Sequence, residues 1–153
     1  MENINKLGMR NFQEQEDINF SLECIIEEFG EECDPCFIWR NGDENVNGWN
    51  IIMLGNIKIG YLKLNMHSMK KYNFIHIPCI IIKKEFRRNG YAEKLIKFIQ
   101  NGNFQNFKYI ELESLKNSKP FWEKLNFKSI KHEVFDNGKE ITTMKYNNLL
   151  WKR

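Results

Sequence analysis

The sequence predicts an α+β fold: a central mixed sheet, mostly antiparallel, of about six or seven strands with flanking helices. Three observations predict it. Residues 74–82 are apolar and rich in β-branched Ile, the composition of a buried strand. Residues 91–100 then set Ala92, Leu95, Ile96 and Ile99 at helical spacing, and residues 107–113 alternate as a strand does. A strand–helix–strand unit of this kind calls for a right-handed crossover and a parallel pair. Gly55-Asn56 and Asp136-Asn137-Gly138-Lys139 each separate two strand-like runs, so hairpins supply the antiparallel part.

The bulk properties agree. A chain of 153 residues with 42% apolar and 14% aromatic residues is expected to form a single domain, residues 1–153, with a sizeable core. The net charge of +3, from 23 basic and 20 acidic residues, is too balanced to argue for nucleic-acid binding. No apolar run approaches a membrane span. Met1 to Lys6 lacks the apolar core of a signal peptide, so a soluble cytoplasmic protein is expected. Cys24, Cys33, Cys36 and Cys79 are read mostly as structural thiols. Cys33-Asp34-Pro35-Cys36 has the spacing of a redox pair or half a zinc site, but no second C-x-x-C accompanies it, and no metal is expected.

In chain order, Leu7, Met9 and Phe12 suit a short first strand. Residues 17–29 place Ile18, Leu22, Ile25, Ile26 and Phe29 on one helical face, with Asp17 as a cap and Gly30 as a stop. The opposite face carries Glu23, Glu27 and Glu28; it reads as a solvated face or as a negative rim for a cationic amine. Residues 31–49 are a loop. Residues 50–54 and 57–64 form the first hairpin, residues 65–73 a polar basic turn, and residues 74–82 the third strand of a meander. After the helix and the strand at 107–113, residues 114–118 are a loop. Residues 119–126 are a short helix with Pro120 in its first turn. Residues 127–135 and 140–146 are the last two strands.

The functional signal lies between the central strand and its helix. The loop there is Arg87-Arg88-Asn89-Gly90-Tyr91-Ala92. A helix start leaves backbone N–H groups unpaired, and the dipole favours negative charge there, so a loop wrapped on it is an anion site, expected to take a phosphate or pyrophosphate. Gly90 permits close backbone approach, and the two arginines add charge.

This hexapeptide resembles the acyl-CoA-binding signature of the GNAT superfamily of N-acyltransferases, Arg/Gln-x-x-Gly-x-Gly/Ala. About thirty residues on, Phe121-Trp122-Glu123-Lys124-Leu125-Asn126-Phe127 is similar to the family segment Phe/Leu-Tyr-Glu-Lys-x-Gly-Phe. The resemblance covers about residues 14–146 and is strongest over 74–127. It implies the GNAT fold, in which the parallel strands splay apart and the pantetheine arm of acetyl-CoA lies in the gap. On that resemblance Ile80, Ile81 and Ile82 offer main-chain contacts to the arm. The pyrophosphate sits on the amides of Arg88, Asn89, Gly90, Tyr91 and Ala92, with Arg87 closing the loop. Lys84, Arg88 or Lys124 reaches the adenosine phosphate. Ser114, Asn117 and Ser118 follow the second splayed strand and are candidates to hydrogen-bond pantetheine or substrate; Asn117 is retained as a cofactor-binding residue.

The activity implied is transfer of an acetyl group from acetyl-CoA directly to an amine, either a small amine or a protein amino group, without metal, nucleic acid or membrane as partner, by a monomer or homodimer. Such a reaction needs a base for the amine, a donor for the carbonyl oxygen and a route for the thiolate to leave. His76, on the central strand where some members carry a catalytic Glu, is the candidate base; its alternative is a strand histidine with a satisfied hydrogen bond. His67 and His132 are weaker candidates. The oxyanion donor expected is a backbone N–H near Ile80. Trp122 stands where many members place a Tyr, and an indole cannot act as the acid; Tyr91 and Tyr109 are the nearest hydroxyls in sequence. Two other readings stand beside this one: a CoA-binding protein that has lost catalysis, and a binding or scaffold module with a Cys33-x-x-Cys36 metal site.

Overall fold

The structure, a computed structural model, describes residues 6–30, 48–69, 72–102 and 107–149. Cys33 and Cys36 lie outside the described residues. The sheet has seven strands in the order β1-β2-β3-β4-β5-β7-β6. These are β1 (Leu7–Asn11), β2 (Trp49–Leu54), β3 (Ile57–Met69), β4 (Tyr72–Ile82), β5 (Tyr109–Leu115), β6 (Lys128–Val134) and β7 (Glu140–Asn147). Three α-helices stand among the described residues: α1 (Gln15–Phe29), α2 (Tyr91–Gln100) and α3 (Lys119–Lys124). The parallel pair expected from the crossover is β4 with β5, and the pairs β1–β2, β2–β3, β5–β7 and β6–β7 are antiparallel. The mixed α+β architecture predicted from the sequence is therefore the one observed. None of these helices is long and apolar enough to cross a membrane.

Two compact units divide the chain, residues 1–64 with 78–95, and residues 65–77 with 96–153. In the first, β1 pairs β2 and β2 pairs β3 around the Gly55-Asn56 turn. α1 packs on them through Cys24 and Ile25, which join Phe12, Trp49, Ile51, Tyr61, Cys79 and Ile81 in one apolar cluster. Trp49 stacks on Tyr61 at 5.9 Å between centroids. Burial pushes the thiols of Cys24 and Cys79 up to about 12, so both remain protonated packing groups, as the structural reading of these two expected.

Two details of this unit depart from the sequence reading. The stripe that α1 buries is Asp17, Ser21, Cys24 and Ile25, while Ile26 and Phe29 are exposed. The i, i+4, i+7, i+8 spacing is kept, but two of its members are polar. Ser21 satisfies its hydroxyl by donating to the Ile18 carbonyl at 2.7 Å. Asp17 is no cap: the helix begins two residues earlier, and the Asp17 carboxylate accepts from both terminal nitrogens of Arg10 at 2.8 Å, from Lys58 at 2.9 Å and from the Gln13 amide at 2.8 Å. The second detail is a bulge. Ile52 pairs with Gly60 and Met53 with Lys58, which leaves Ile59 as the extra residue. Its carbonyl accepts the Lys83 amide at 2.9 Å. A Cβ on Gly60 would lie 2.2 Å from the Ile81 carbonyl oxygen, so only glycine fits against that backbone.

In the second unit, β5 pairs β4 on one side and β7 on the other, and β7 pairs β6. The Asp136–Lys139 turn closes as predicted, with Gly138 at φ 82°, the Phe135 amide donating to the Lys139 carbonyl and the Gly138 amide to the Phe135 carbonyl, each at 2.8 Å. Ile75, Ile77, Ile96, Ile99, Ile110, Leu112, Trp122, Phe127 and Met144 are buried. α3 contributes Trp122, whose ring meets Phe121 and Phe127 edge-on at 4.8 and 5.2 Å. Glu123 and Lys124 stay exposed, as expected. The strands outrun their predicted ends: β3 and β4 take up most of the 65–73 turn, and β5 runs on to Leu115. Ser114 is therefore a buried strand residue that bonds the Leu115 carbonyl, not a loop residue.

The Asp17 knot makes a testable statement. The Arg10 hydrogen bond, with the Gln13 amide, Lys58 and the Arg10 charge, holds the Asp17 carboxyl well below the usual carboxylate range, against the opposing effect of burial. A depressed folded-state pKa contributes stability that is complete above the unfolded value of about 4 and is lost as pH falls through it. Asp17→Asn is expected to cost about 3 kcal/mol at pH 7, because it strands two cations. Denaturant titrations at several pH values should show the wild type losing this advantage below about pH 4, with the variant nearly flat there.

Candidate functional site

The basic loop belongs to the first unit, and its shape follows from how it is tied. After β4 ends, residues Lys84–Phe86 make one 3-10 turn. The Lys84 amide at its start donates to Glu27 of α1 at 2.6 Å. Arg87 then points back: its Nε donates to the Ile82 carbonyl at 2.8 Å, and its terminal nitrogen pairs with Glu28 of α1. Asn89 turns its amide inward onto the carbonyls of Phe86 and Arg87 at 3.1 and 3.2 Å. Arg88 and Gly90 both take positive φ, 66° and 75°. For Arg88 this conformation is disfavoured, and the ties on either side hold it. The loop thus reverses direction just before α2 begins.

The first helical bond of α2 runs from the Lys94 amide to the Gly90 carbonyl at 3.0 Å. The amides of Tyr91 and Ala92 stand ahead of that bond, at the positive end of the helix. Among the described residues, a Cβ at Gly90 would meet no atom within 4 Å. Arg88, Asn89 and Gly90 are exposed, and Tyr91 and Ala92 half-buried. Of the strand residues named from the sequence, Ile80 is half-buried and Ile81 and Ile82 are buried. Ile82 offers its carbonyl to Arg87 rather than outward. Such a surface can bind an anion through main chain with little reorganisation.

The acidic face of α1 finds its partners here. Glu27 and Glu28 bind the loop, and Glu23 comes within 4.0 Å of Lys83. The face is open to solvent, as one sequence reading expected, and Glu27 and Glu28 on it also clamp the loop. The helical periodicity showed the face; nothing in it pointed to the loop 57 residues further on.

His76 and Asn117 belong to the second unit. Asn117 is exposed in a single 3-10 turn, Lys116–Ser118, after β5. His76 is half-buried on β4, opposite Glu111 in the parallel register. Its Nε2 lies 2.7 Å from the Oε2 of Glu113, the next residue on that face of β5. The hydrogen bond from His76, together with its charge, lowers the Glu113 pKa from the ordinary carboxylate value. The same face carries a stacked row: His67 on Phe74 at 4.5 Å, Phe74 on Tyr109 at 4.9 Å, and the Lys145 ammonium over Tyr109 at 3.9 Å. The row uses His67 as a stacking partner. His132 contacts Thr142 at 3.0 Å and Glu140 at 3.4 Å. Glu113 was missed in the sequence because only the register of two strands could reveal it.

Comparisons with known proteins fit this geometry. The family model described as "Acetyltransferase (GNAT) domain" matches residues 43–148. No curated protein matches the sequence. Among solved structures, Ard1 from Thermoplasma volcanium superposes with a TM-score of 0.73 at 17% identity, over 94% of this chain and 98% of that one. The loading GNATL domain of CurA from Lyngbya majuscula gives 0.73 at 13% identity, over 94% and 98%. A chain of the NatC complex bound to Gag peptide and CoA gives 0.70 at 17%, over 93% and 98%. At these identities the likeness is one of fold.

The clamp on the loop is open to test by amide hydrogen exchange. The double variant Glu27→Ala, Glu28→Ala should raise exchange of the bonded amides of Lys84, Phe86 and Arg87 by about 10-fold, the effect of losing about 1.4 kcal/mol of local stability, while peptides from β5 and β7 are unchanged. Unaltered protection of these amides would show that the loop holds its shape without α1.

Proposed function

Because this chain belongs to the GNAT acetyltransferase family, we propose that it is an N-acetyltransferase that uses acetyl-CoA as cosubstrate and an amine as acceptor, a small amine or a protein amino group. The observation that carries the reading is the tied loop at the start of α2, where Arg88 and Gly90 take positive φ just ahead of the first helical bond. A pyrophosphate is the anion such a curved run accommodates, through the amides of Arg88, Asn89, Gly90, Tyr91 and Ala92. Arg87 shapes the loop, and Arg88 adds charge at its rim. The backbone of Ile80 and Ile81 is the candidate surface for the pantetheine amides, and Asn117 a further polar contact.

In the reaction, the amine lone pair attacks the thioester carbonyl carbon. A C–N bond forms, the C–S bond breaks with its electron pair passing to sulfur, and the amine nitrogen loses one proton. His76 is the group proposed to take that proton, directly or through a water. A thiol pKa of about 8.5 makes the thiolate a fair leaving group without a dedicated acid, and the buried Trp122 of α3 serves packing instead. Holding donor and acceptor together supplies the rest by proximity.

Calorimetric titration of acetyl-CoA tests the loop. The wild type is expected to bind with micromolar affinity. Gly90→Asp keeps a residue type that tolerates positive φ but sets a carboxylate at the anion site, and should weaken binding by about 100-fold or more, some 2.7 kcal/mol. Absence of binding to the wild type would remove the cofactor and the activity with it. For the base, His76→Ala is expected to lower kcat about 100-fold with the affinity for acetyl-CoA unchanged; a variant as fast as the wild type would exclude His76 from that role.

A further inference from the structure

The second unit holds a pair that the family reading does not use. We propose that Glu113 is a positioning residue for His76, holding the imidazole as its Nε2–H tautomer so that Nδ1 is the nitrogen that accepts the amine proton. The inference rests on the reading of His76 as the base.

The geometry is short and directional. The parallel register sets His76 against Glu111, and the two-residue repeat of β5 brings Glu113 to the same face, with its Oε2 at 2.7 Å from Nε2. That separation is typical of a charge-assisted hydrogen bond. An ionised carboxylate can only accept. The lowered pKa of Glu113 keeps it ionised across the working range of a histidine base. Nε2 must then carry the hydrogen, and in the neutral ring the lone pair is left on Nδ1. When Nδ1 takes a proton from the amine, the imidazolium forms with its counter-charge already in contact. The carboxylate itself gains no proton in this step.

Both side chains are partly open to solvent, 25% exposed for His76 and 47% for Glu113, so the effect should be smaller than in a buried pair. Phe74, two residues back on β4, is fixed in the stack between His67 and Tyr109. His76 has Glu111 as its Cα partner and Glu113 as its hydrogen-bond partner, which gives the imidazole a defined side on which to place its N–H.

Long-range proton–nitrogen correlation on protein labelled with 15N-histidine tests this without any acceptor. At a pH where the imidazole is neutral, wild-type His76 should show the Nε2–H pattern alone, and Glu113→Leu a mixture of both tautomers. Thiol release from acetyl-CoA with a lysine-containing peptide as probe amine reads the consequence. Glu113→Leu should lose about 10-fold in kcat with KM for acetyl-CoA unchanged, a smaller loss than that expected for His76→Ala. Identical tautomer populations in the wild type and Glu113→Leu would overturn the positioning role, while His76→Ala kinetics would still decide the base. A tautomer change with kcat unmoved in Glu113→Leu would also overturn it. Unmoved kcat in His76→Ala removes the reading beneath it.

Discussion

Arg87 is bound in two directions at once, and the shape of the loop between β4 and α2 depends on it. Its Nε reaches the carbonyl of Ile82 at the end of β4, and its terminal nitrogen reaches Glu28 on α1. A planar guanidinium can make both bonds from one rigid fork, whereas a lysine would offer a single point charge. The bond to Ile82 turns the chain back on the strand it has just left. The three residues that follow must then reverse direction before α2 begins. Arg88 and Gly90 do so by adopting positive φ, and Asn89 fastens the reversal by bonding two carbonyls within the loop. Each of these half-exposed interactions contributes on the order of 1 kcal/mol or less. Their common direction matters more than their individual size, because together they fix amides that would otherwise have to be ordered by a ligand.

The clamp works only if α1 is itself held, and α1 is held at both ends. At its first turn Asp17 is buried between Arg10 of β1 and Lys58 of β3. At its last turns Glu27 and Glu28 meet the loop. Between them Cys24 and Ile25 sink into the aromatic cluster of Phe12, Trp49 and Tyr61. The β3 bulge serves the same end. It frees the Ile59 carbonyl for Lys83, and Gly60 lets the Ile81 carbonyl close in. The strand end that carries Ile80, Ile81 and Ile82 is thereby fastened just before the loop departs.

What was legible in the sequence was local. The period of two in residues 107–113, the helical period of residues 91–100 and the turn chemistry of Gly55-Asn56 and Asn137-Gly138 each announce an element from within a few residues. The turn at 87–90 was legible for the same reason, since its reversal resides in backbone that its own glycine permits. What was not legible was long-range. Asp17 sits where a cap belongs, and only the approach of Arg10 and Lys58 shows that its carboxylate is claimed elsewhere. The acidic face of α1 was visible as a periodicity but not as a clamp. Residues 65–69 and 72–73 are polar enough to read as a turn, yet pairing with neighbouring strands keeps them extended.

The same distinction explains how a histidine on an open sheet face can be well placed. In the second unit the two faces are made differently. One is apolar, with Ile75, Ile77, Ile110, Leu112 and Met144 packed out of water. On the other, order comes from neighbours along and across strands: the His67–Phe74–Tyr109 row, the Lys145 ammonium on the end of that row, and Glu113 against His76. Stacked rings and a charged hydrogen bond restrict side chains without burying them. A base must exchange protons with solvent or substrate, so complete burial would defeat it, while free rotation would blur which nitrogen faces the amine. Cross-strand partners on a half-open face meet both requirements. On the proposed role of His76, this face suits a base better than an apolar interior such as that of the other unit, where burial silences the thiols of Cys24 and Cys79.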